Sequence, residues 1–347
     1  MLEIELFRFD RKIDLASYFK PYIYENYSFN TLRDLLLDIQ ANDPYFKFDG
    51  VKFVKINGCI VNLDESLEKI IEKCGNFITI YPLIEKRATK DLTINNDDFV
   101  KAYDKFSEIL GEEIAEAEKD YYLSLEPLFY SNRVLKFKEC FIGNSGLVFA
   151  NAMAKKYFEK KDEILNLVKN EALYYIKPKF LLNDPFETEN AIDELQSLLG
   201  IKPNFKDTLT DFSVLPEPKK DFSNFNIAVY ADDKTKQFVS HIASLRNFTL
   251  ENEFLPTNLL SYDEETMLNL AGEILFDAFD SGADFLLVNS SQDFNLFDTN
   301  AKKIESLFNR KLYDFYILTT TELLELLAGD VPKSLENHNL KVKLIWD

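Results

Sequence analysis

The feature that most constrains the fold is a change of hydrophobic period along the chain. Residues 1–84 alternate apolar and polar side chains in short runs, as in Leu2, Ile4 and Leu6 against Glu3 and Glu5, which is the period of a half-buried strand. From about residue 85 the spacing becomes helical and stays so to about 201. A stretch broken by Pro203, Pro216 and Pro218 follows. Beyond 224, compact apolar runs such as NIAVYAD (226–232) alternate with longer amphipathic ones. With 347 residues the chain exceeds what one hydrophobic core usually holds, roughly 250–300 residues. The expected division is a first domain over 1–84, a helical domain over 85–201, a linker over 202–224 and an α/β domain over 225–347.

Within the first domain, Tyr18–Tyr24 reads as a second strand. Asn30 or Thr31 can cap a helix running to Gln40, with Leu32, Leu35, Leu36 and Ile39 on its buried side. Asn57-Gly58 is a hairpin turn signal between Val51–Asn57 and Ile60–Leu63, and Phe77–Tyr81 supplies another strand. Strands on either side of one crossing helix predict a β-grasp sheet. The helical domain is predicted to hold helices at Asp97–Leu110, Phe141–Tyr157, Ile164–Tyr175 and Glu189–Leu199, the last stopped by Gly200. The last domain is predicted to carry strands at Asn226–Asp232, Ala283–Asn289 and Phe315–Thr319, with helices at Thr266–Phe279, Ala301–Phe308 and Glu322–Ala328 between and after them. That order argues a parallel, layered α/β domain. The fold class is α+β multidomain.

Charge and composition remove several function classes. The net charge of −19 opposes binding to nucleic acid or to an anionic membrane surface. MLEIELFRFD lacks the apolar region of a secretory leader, and no apolar run approaches the ~20 residues of a membrane helix. Three cysteines, Cys59, Cys74 and Cys140, show no paired pattern, so a reducing, cytoplasmic setting is expected. Two histidines, His241 and His338, leave little for zinc, haem or imidazole base chemistry.

Stretches in each of the three expected domains carry a resemblance. Phe48–Leu83, with ING at Ile56–Gly58 and ITIYPL at Ile78–Leu83, resembles the N-terminal ferredoxin domain of succinate dehydrogenase and fumarate reductase iron–sulfur subunits. KDLTINNDDFVKAYDK (Lys90–Lys105) and FIGNSGLVFANAMAKKYFEKKD (Phe141–Asp162) resemble the segment joining the two domains of those subunits and the helix between their cysteine groups. SGADFLLVNSSQDFNLFD (Ser281–Asp298) with TELLELLAG (Thr321–Gly329) resembles the cysteine-rich CCG domain of heterodisulfide reductases.

The resemblance implies clusters held by about four thiolates each, and the cysteines are missing. Counted without gaps, the family's first ligand set falls on Pro44, Asp49, Lys52 and Asp64, the second on Tyr122, Leu125, Leu128 and Asn132, and the CCG pair on Ser290 and Asp293. The counterpart of the remaining helical-domain group, about Ala172–Ile192, has no cysteine, and neither has LPTNLL at Leu255–Leu260. At Tyr122, Leu125 and Leu128, apolar side chains are expected to fill volume that a cluster occupies in the family. Cys59 is expected to be half-buried, and Cys140 to be a buried structural thiol.

Replacement chemistry has few candidates. Ser290 follows a buried strand, but the glycine elbow of a serine hydrolase is absent and a histidine base would have to converge on it; a helix N-cap role for Ser290, Ser291 or Asp293 is the ordinary alternative. Asp232-Asp233 and Asp263–Glu265 lack calcium-loop spacing and read as solvated charge. No glycine-rich phosphate loop occurs. The sequence therefore names no catalytic residue, no metal ligand and no cofactor. It points away from an enzyme and towards a cluster-free homologue of an iron–sulfur subunit acting as an interaction scaffold, with a flavoprotein or other respiratory subunit as the natural partner by resemblance. Two other readings are an electron-transfer subunit with unorthodox or partner-supplied ligands, and a small-molecule binder using the C-terminal α/β cleft.

Overall fold

The structure, a computed structural model, describes residues 1–179, 187–202, 206–212, 215–251 and 253–343. Within the expected stretches, residues 180–186 of Ala172–Ile192 and Pro203 of the linker lie outside the described residues. The fold is mixed α and β, with an N-terminal sheet, a helical middle and a C-terminal α/β region. Contacts divide the chain into two compact units, Met1–Lys202 and Pro203–Asp347.

The first unit opens with β1 (Leu2–Arg8), β2 (Tyr18–Tyr24), α1 (Leu32–Asn42), β3 (Phe53–Ile56), β4 (Cys59–Asn62), α2 (Leu67–Cys74) and β5 (Phe77–Tyr81). The sheet order is β2-β1-β5-β3-β4, with β1 and β5 parallel and the other pairs antiparallel. Alternation sends Leu2, Ile4, Leu6, Ile78 and Ile80 to the same buried cluster as Leu32, Leu35, Leu36 and Ile39 of α1. Each such side chain contributes about 1.5–3 kcal/mol by leaving water. Thr31 starts α1 with a capping box: its hydroxyl accepts from the Asp34 N–H, and the Asp34 carboxylate accepts from the Thr31 N–H. Asn57 and Gly58, both at positive φ, make the tight turn between β3 and β4 that the sequence announces.

A two-stranded ribbon, β6 (Ala88–Lys90) and β7 (Thr93–Ile94), leads into α3 (Asp97–Leu110), α4 (Glu112–Ser124), α5 (Glu126–Phe129), α6 (Gly143–Lys156), α7 (Lys161–Val168) and α8 (Thr188–Leu198). The helix expected over Ile164–Tyr175 is broken. It stops at Val168 and resumes as a 3-10 turn at Glu171–Tyr174. Helices α2 and α4 are not anticipated by the hydrophobic period; α4 (EEIAEAEKDYYLS) buries only Ala115, Glu118 and Tyr122, too few apolar positions to show one.

The second unit contains β8 (Asn226–Tyr230), α9 (Asp233–Ile242), β9 (Ser244–Arg246), α10 (Leu259–Tyr262), α11 (Glu264–Asp280), β10 (Phe285–Val288), α12 (Ser291–Phe294), a π-helical turn (Asn295–Thr299), α13 (Ala301–Phe308), β11 (Tyr316–Thr319) and α14 (Thr320–Leu327). Its four strands are parallel in the order β11-β10-β8-β9. The chain builds outward from β8 to β9, then returns to lay β10 and β11 on the other side. This reversal creates a switch point between β8 and β10, where open α/β sheets place ligands beyond the strand carboxyl ends. The acidic runs read as solvated charge have defined work: Asp232 caps α9 by accepting from the Thr235 N–H, and Asp263 caps α11 by accepting from the Thr266 N–H.

Candidate functional site

The switch-point crevice of the second unit is the first place to look for a site, and Ser290 and Asp293 both lie there. The stretch read as linker passes over it. The Leu209 N–H donates to the Asn289 carbonyl at 3.1 Å. The Thr210 N–H donates to Asn289 Oδ1 at 2.9 Å, and Asn289 Nδ2 returns a bond to the Thr210 carbonyl at 2.9 Å. The Thr320 hydroxyl donates to Asn289 Oδ1 at 2.6 Å. One buried amide thus ties three segments together at the end of β10. Asp207 accepts from both the N–H and the hydroxyl of Ser291, at 2.7 and 2.6 Å.

Ser290 caps α12, accepting from the Asp293 N–H at 3.2 Å while its hydroxyl donates to Gln292 Oε1 at 3.0 Å. Asp293 is buried, and burial pushes its carboxyl up from the ordinary range. Lys206 reaches in to pair with it at 2.7 Å, its ammonium 5.2 Å from the Tyr230 ring and 5.5 Å from that of Phe254. The histidines are engaged elsewhere. His241 is exposed on α9, its Nδ1 2.6 Å from the Gln237 carbonyl, and His338 Nε2 is 2.8 Å from Glu322. Ser290 in the crevice is engaged in capping α12, and Lys206–Thr210 bonds Asp293 and Asn289 beside it.

In the helical part of the first unit, the four positions singled out by resemblance are interior. Tyr122, Leu125, Leu128 and Asn132 are 0%, 1%, 0% and 2% exposed. The Tyr122 ring stacks on Phe99 with centroids 4.7 Å apart and meets Phe149 edge-on at 5.2 Å, while its hydroxyl donates to the Phe99 carbonyl at 3.1 Å. Burial pushes that phenol far up from its ordinary range. Asn132 Nδ2 donates to Asn144 Oδ1 at 3.0 Å and to the Tyr174 carbonyl at 2.8 Å, and its Oδ1 accepts from the Val134 N–H at 3.0 Å. Asn144 Nδ2 in turn donates to the Ile176 carbonyl at 2.9 Å. Gly143, at φ +71°, lets α6 start against Phe129: a Cβ there would lie 2.5 Å from the ring.

Cys140, expected to be buried, is exposed. It sits in the turn before α6, where Phe141 and Ile142 take the inward positions. Cys59 is half-buried as expected, and so is Cys74; burial pushes the Cys74 thiol up to about 11.

The β-grasp positions Pro44, Asp49, Lys52 and Asp64 are all exposed. Asp64 pairs with Arg33 at 2.5 Å. The loop beside them is anchored by a buried ionic cluster that sequence reasoning missed. Arg8 Nε donates to Asp91 Oδ1 at 2.9 Å, and its Nη1 donates to Asp43 Oδ2. Lys20 and the Tyr22 hydroxyl also bond Asp43, at 2.7 and 2.8 Å. Asp91 further accepts from the Lys47 N–H at 2.9 Å. Burial opposes the charge on Asp43, but bonds from Lys20, Tyr22 and Arg8 outweigh it and hold the carboxyl well below the usual carboxylate range. Nothing in the spacing of Arg8, Asp43 and Asp91 announces this contact.

A second buried polar cluster in the second unit was also missed. His338 and Asp298 are each 1% exposed. Glu322 bonds His338 and the Ser334 hydroxyl, while Asp298 accepts from the N–H groups of Asn339 and Leu340 at 2.8 and 3.2 Å. Here the sequence carries a signal: Thr319-x-x-Glu322 is a capping box. Among the described residues, no group of three or more His, Cys, Asp or Glu is arranged to hold a metal ion, and no helix is long and apolar enough to cross a membrane.

Comparison with known proteins bears on the second unit. Residues 257–338 match the family model of the HdrB-like C-terminal domain. The match runs from the turn before α10 to His338 and agrees with the heterodisulfide reductase-like resemblance of the last domain. No curated protein matches the chain. A crystal structure of a hypothetical protein from Helicobacter pylori is similar with a TM-score of 0.69 at 15% identity, covering 99% of this chain and 98% of that one. At that identity the likeness speaks for the fold.

Proposed function

We propose that this protein is a cluster-free relative of respiratory iron–sulfur subunits, in which a succinate dehydrogenase-like part is followed by an HdrB-like part, and that it serves as an interaction scaffold. On this reading 1–84 and 85–201 are degenerate ferredoxin-like domains, 202–224 connects them to the last part, and 225–347 is a degenerate CCG-like domain. The observation that carries the proposal is the interior packing of Tyr122, Leu125, Leu128 and Asn132. Thiolate ligands need an open volume between them for iron and sulfide; stacked rings, leucines and a fully bonded amide occupy these positions instead. Support also comes from Lys206–Thr210 bonding the groups of the crevice beside Ser290 and Asp293.

A flavoprotein or another respiratory subunit is the proposed partner, in a cytoplasmic setting. Native mass spectrometry of the gently purified full chain tests the scaffold role. A stoichiometric complex with another subunit is expected, and a chain recovered only as an unpartnered monomer under those conditions contradicts it.

A further inference from the structure

The β-grasp sheet has one face packed on α1 and another that is partly open. Register fixes what the open face presents. Glu3 lies between Ile23 and Phe77, and Glu5 between Pro21 and Thr79. The adjoining row places Phe7 beside Phe19, whose ring meets Tyr81 at 5.1 Å. The β3 side of this face is covered, where Lys55 donates to the Tyr130 carbonyl at 3.0 Å. The β2–β1–β5 side is not: Ile23 is 65% exposed, Phe77 52% and Phe19 37%. Between them stand two half-buried carboxylates, Glu3 and Glu5, and neither makes a side-chain hydrogen bond or ion pair among the described residues.

We propose that this face docks an amphipathic helix of a partner protein, its apolar side chains on Phe19, Ile23 and Phe77 and its Lys or Arg residues on Glu3 and Glu5. The inference rests on the scaffold reading and names a surface and a partner chemistry for it. Charge complementarity selects the occupant. Two carboxylates at the centre of an apolar patch repel an acidic partner, would be desolvated without compensation under a purely apolar one, and receive a basic one. The net charge of −19 steers cationic segments towards the chain. Spacing selects a helix. Glu3 and Glu5 are two residues apart on a strand, about 6.7 Å, and side chains at i and i+4 of a helix are separated by about 6 Å along its axis. Ile23 and Phe77 flank Glu3 across two strand spacings, about 9.6 Å, close to the width of a helix with its side chains. An added strand is disfavoured, because Pro21 in the middle of edge strand β2 offers no N–H to a neighbour.

The test uses the full chain and a labelled synthetic helix of about 18 residues bearing leucines on one face and lysines at i and i+4, read by fluorescence anisotropy at several salt concentrations. Glu3→Gln/Glu5→Gln is expected to weaken binding about fivefold and to flatten its salt dependence. Phe77→Asp is expected to weaken it about tenfold. Glu112→Gln/Glu113→Gln on α4, with the same loss of charge, is expected to change it little. Equal weakening by the two Gln pairs, or no weakening by either, overturns the proposal, because the attraction would then be a general one to an acidic chain. The two readings fail separately. A chain seen in a stoichiometric complex that ignores the peptide keeps the scaffold and loses this face; a chain that takes the peptide but is recovered unpartnered does the reverse.

Discussion

The loop beside Asp43 and the segment from Tyr122 to Asn132 belong to the same unit, yet their order rests on different physics. Pro44, Asp49, Lys52 and Asp64 point to solvent, so nothing need fill their place; what the loop needs is an anchor, and the Arg8–Asp43–Asp91 cluster supplies one. Tyr122, Leu125, Leu128 and Asn132 point inward, where an empty volume would cost dispersion contacts with every surrounding atom. If both regions descend from cluster sites, loss at a surface loop left a problem of tethering, and loss in a core left a problem of volume. On the proposed reading, that contrast would account for exposed residues of mixed type at one set of positions and largely apolar, buried ones at the other.

The largest effects expected come from attacking each solution directly. Arg8→Met leaves Asp43 and Asp91 buried without their shared cation. Removing one partner of a buried pair costs about 3–5 kcal/mol, which denaturant unfolding will read. Tyr122→Ala opens a cavity between Phe99, Tyr103 and Phe149 and is expected to cost a similar 3–5 kcal/mol, by the order of magnitude of large-to-small core changes. Tyr122→Phe keeps the ring and loses the hydroxyl with its bond to the Phe99 carbonyl, for about 1 kcal/mol. A Phe variant as damaging as the Ala variant would show that the hydroxyl, and not the volume, is what matters there.

Acid separates the two regions. The Asp43 carboxyl is lowered in the folded state, so its contribution is fully present above the unfolded value of about 3.9 and is lost as pH falls towards the folded one. Unfolding free energy followed from about pH 6 downward should therefore decline more steeply in the parent than in Asp43→Asn, whereas Tyr122→Phe should parallel the parent. The smallest effect is expected at the exposed positions: Asp49→Cys or Lys52→Cys should change stability by no more than about 0.5 kcal/mol, against several for Leu128→Cys in the core.

The regular parts of the fold were legible because hydrophobic period and turn chemistry decide them. Leu2, Ile4 and Leu6, the Asn57-Gly58 turn, and the apolar runs of β8, β10 and β11 fall where the sequence puts them. Helix α4 was hidden because its buried side holds only an alanine, a glutamate and a tyrosine, while the apolar Tyr121 and Leu123 face solvent among its charged residues. The candidate sites were legible as positions and not as environments. Ser290 could be placed after a buried strand, but Asn289, which ties Thr210, Thr235 and Thr320 together beside it, carries no local pattern. The Arg8–Asp43–Asp91 contact joins residues 35 and 83 positions apart, and such a pairing depends on the tertiary fold. Cys140 went the other way, since a thiol's usual burial gave way to the inward turn of Phe141 and Ile142.

The most direct measurement is iron and acid-labile sulfide in the full chain purified without oxygen, with the visible absorption spectrum recorded on the same sample. The account predicts a colourless protein with iron and sulfide far below one equivalent. A brown protein carrying stoichiometric iron and sulfide would contradict it, and would mean that ligands other than this chain's thiolates complete a cluster.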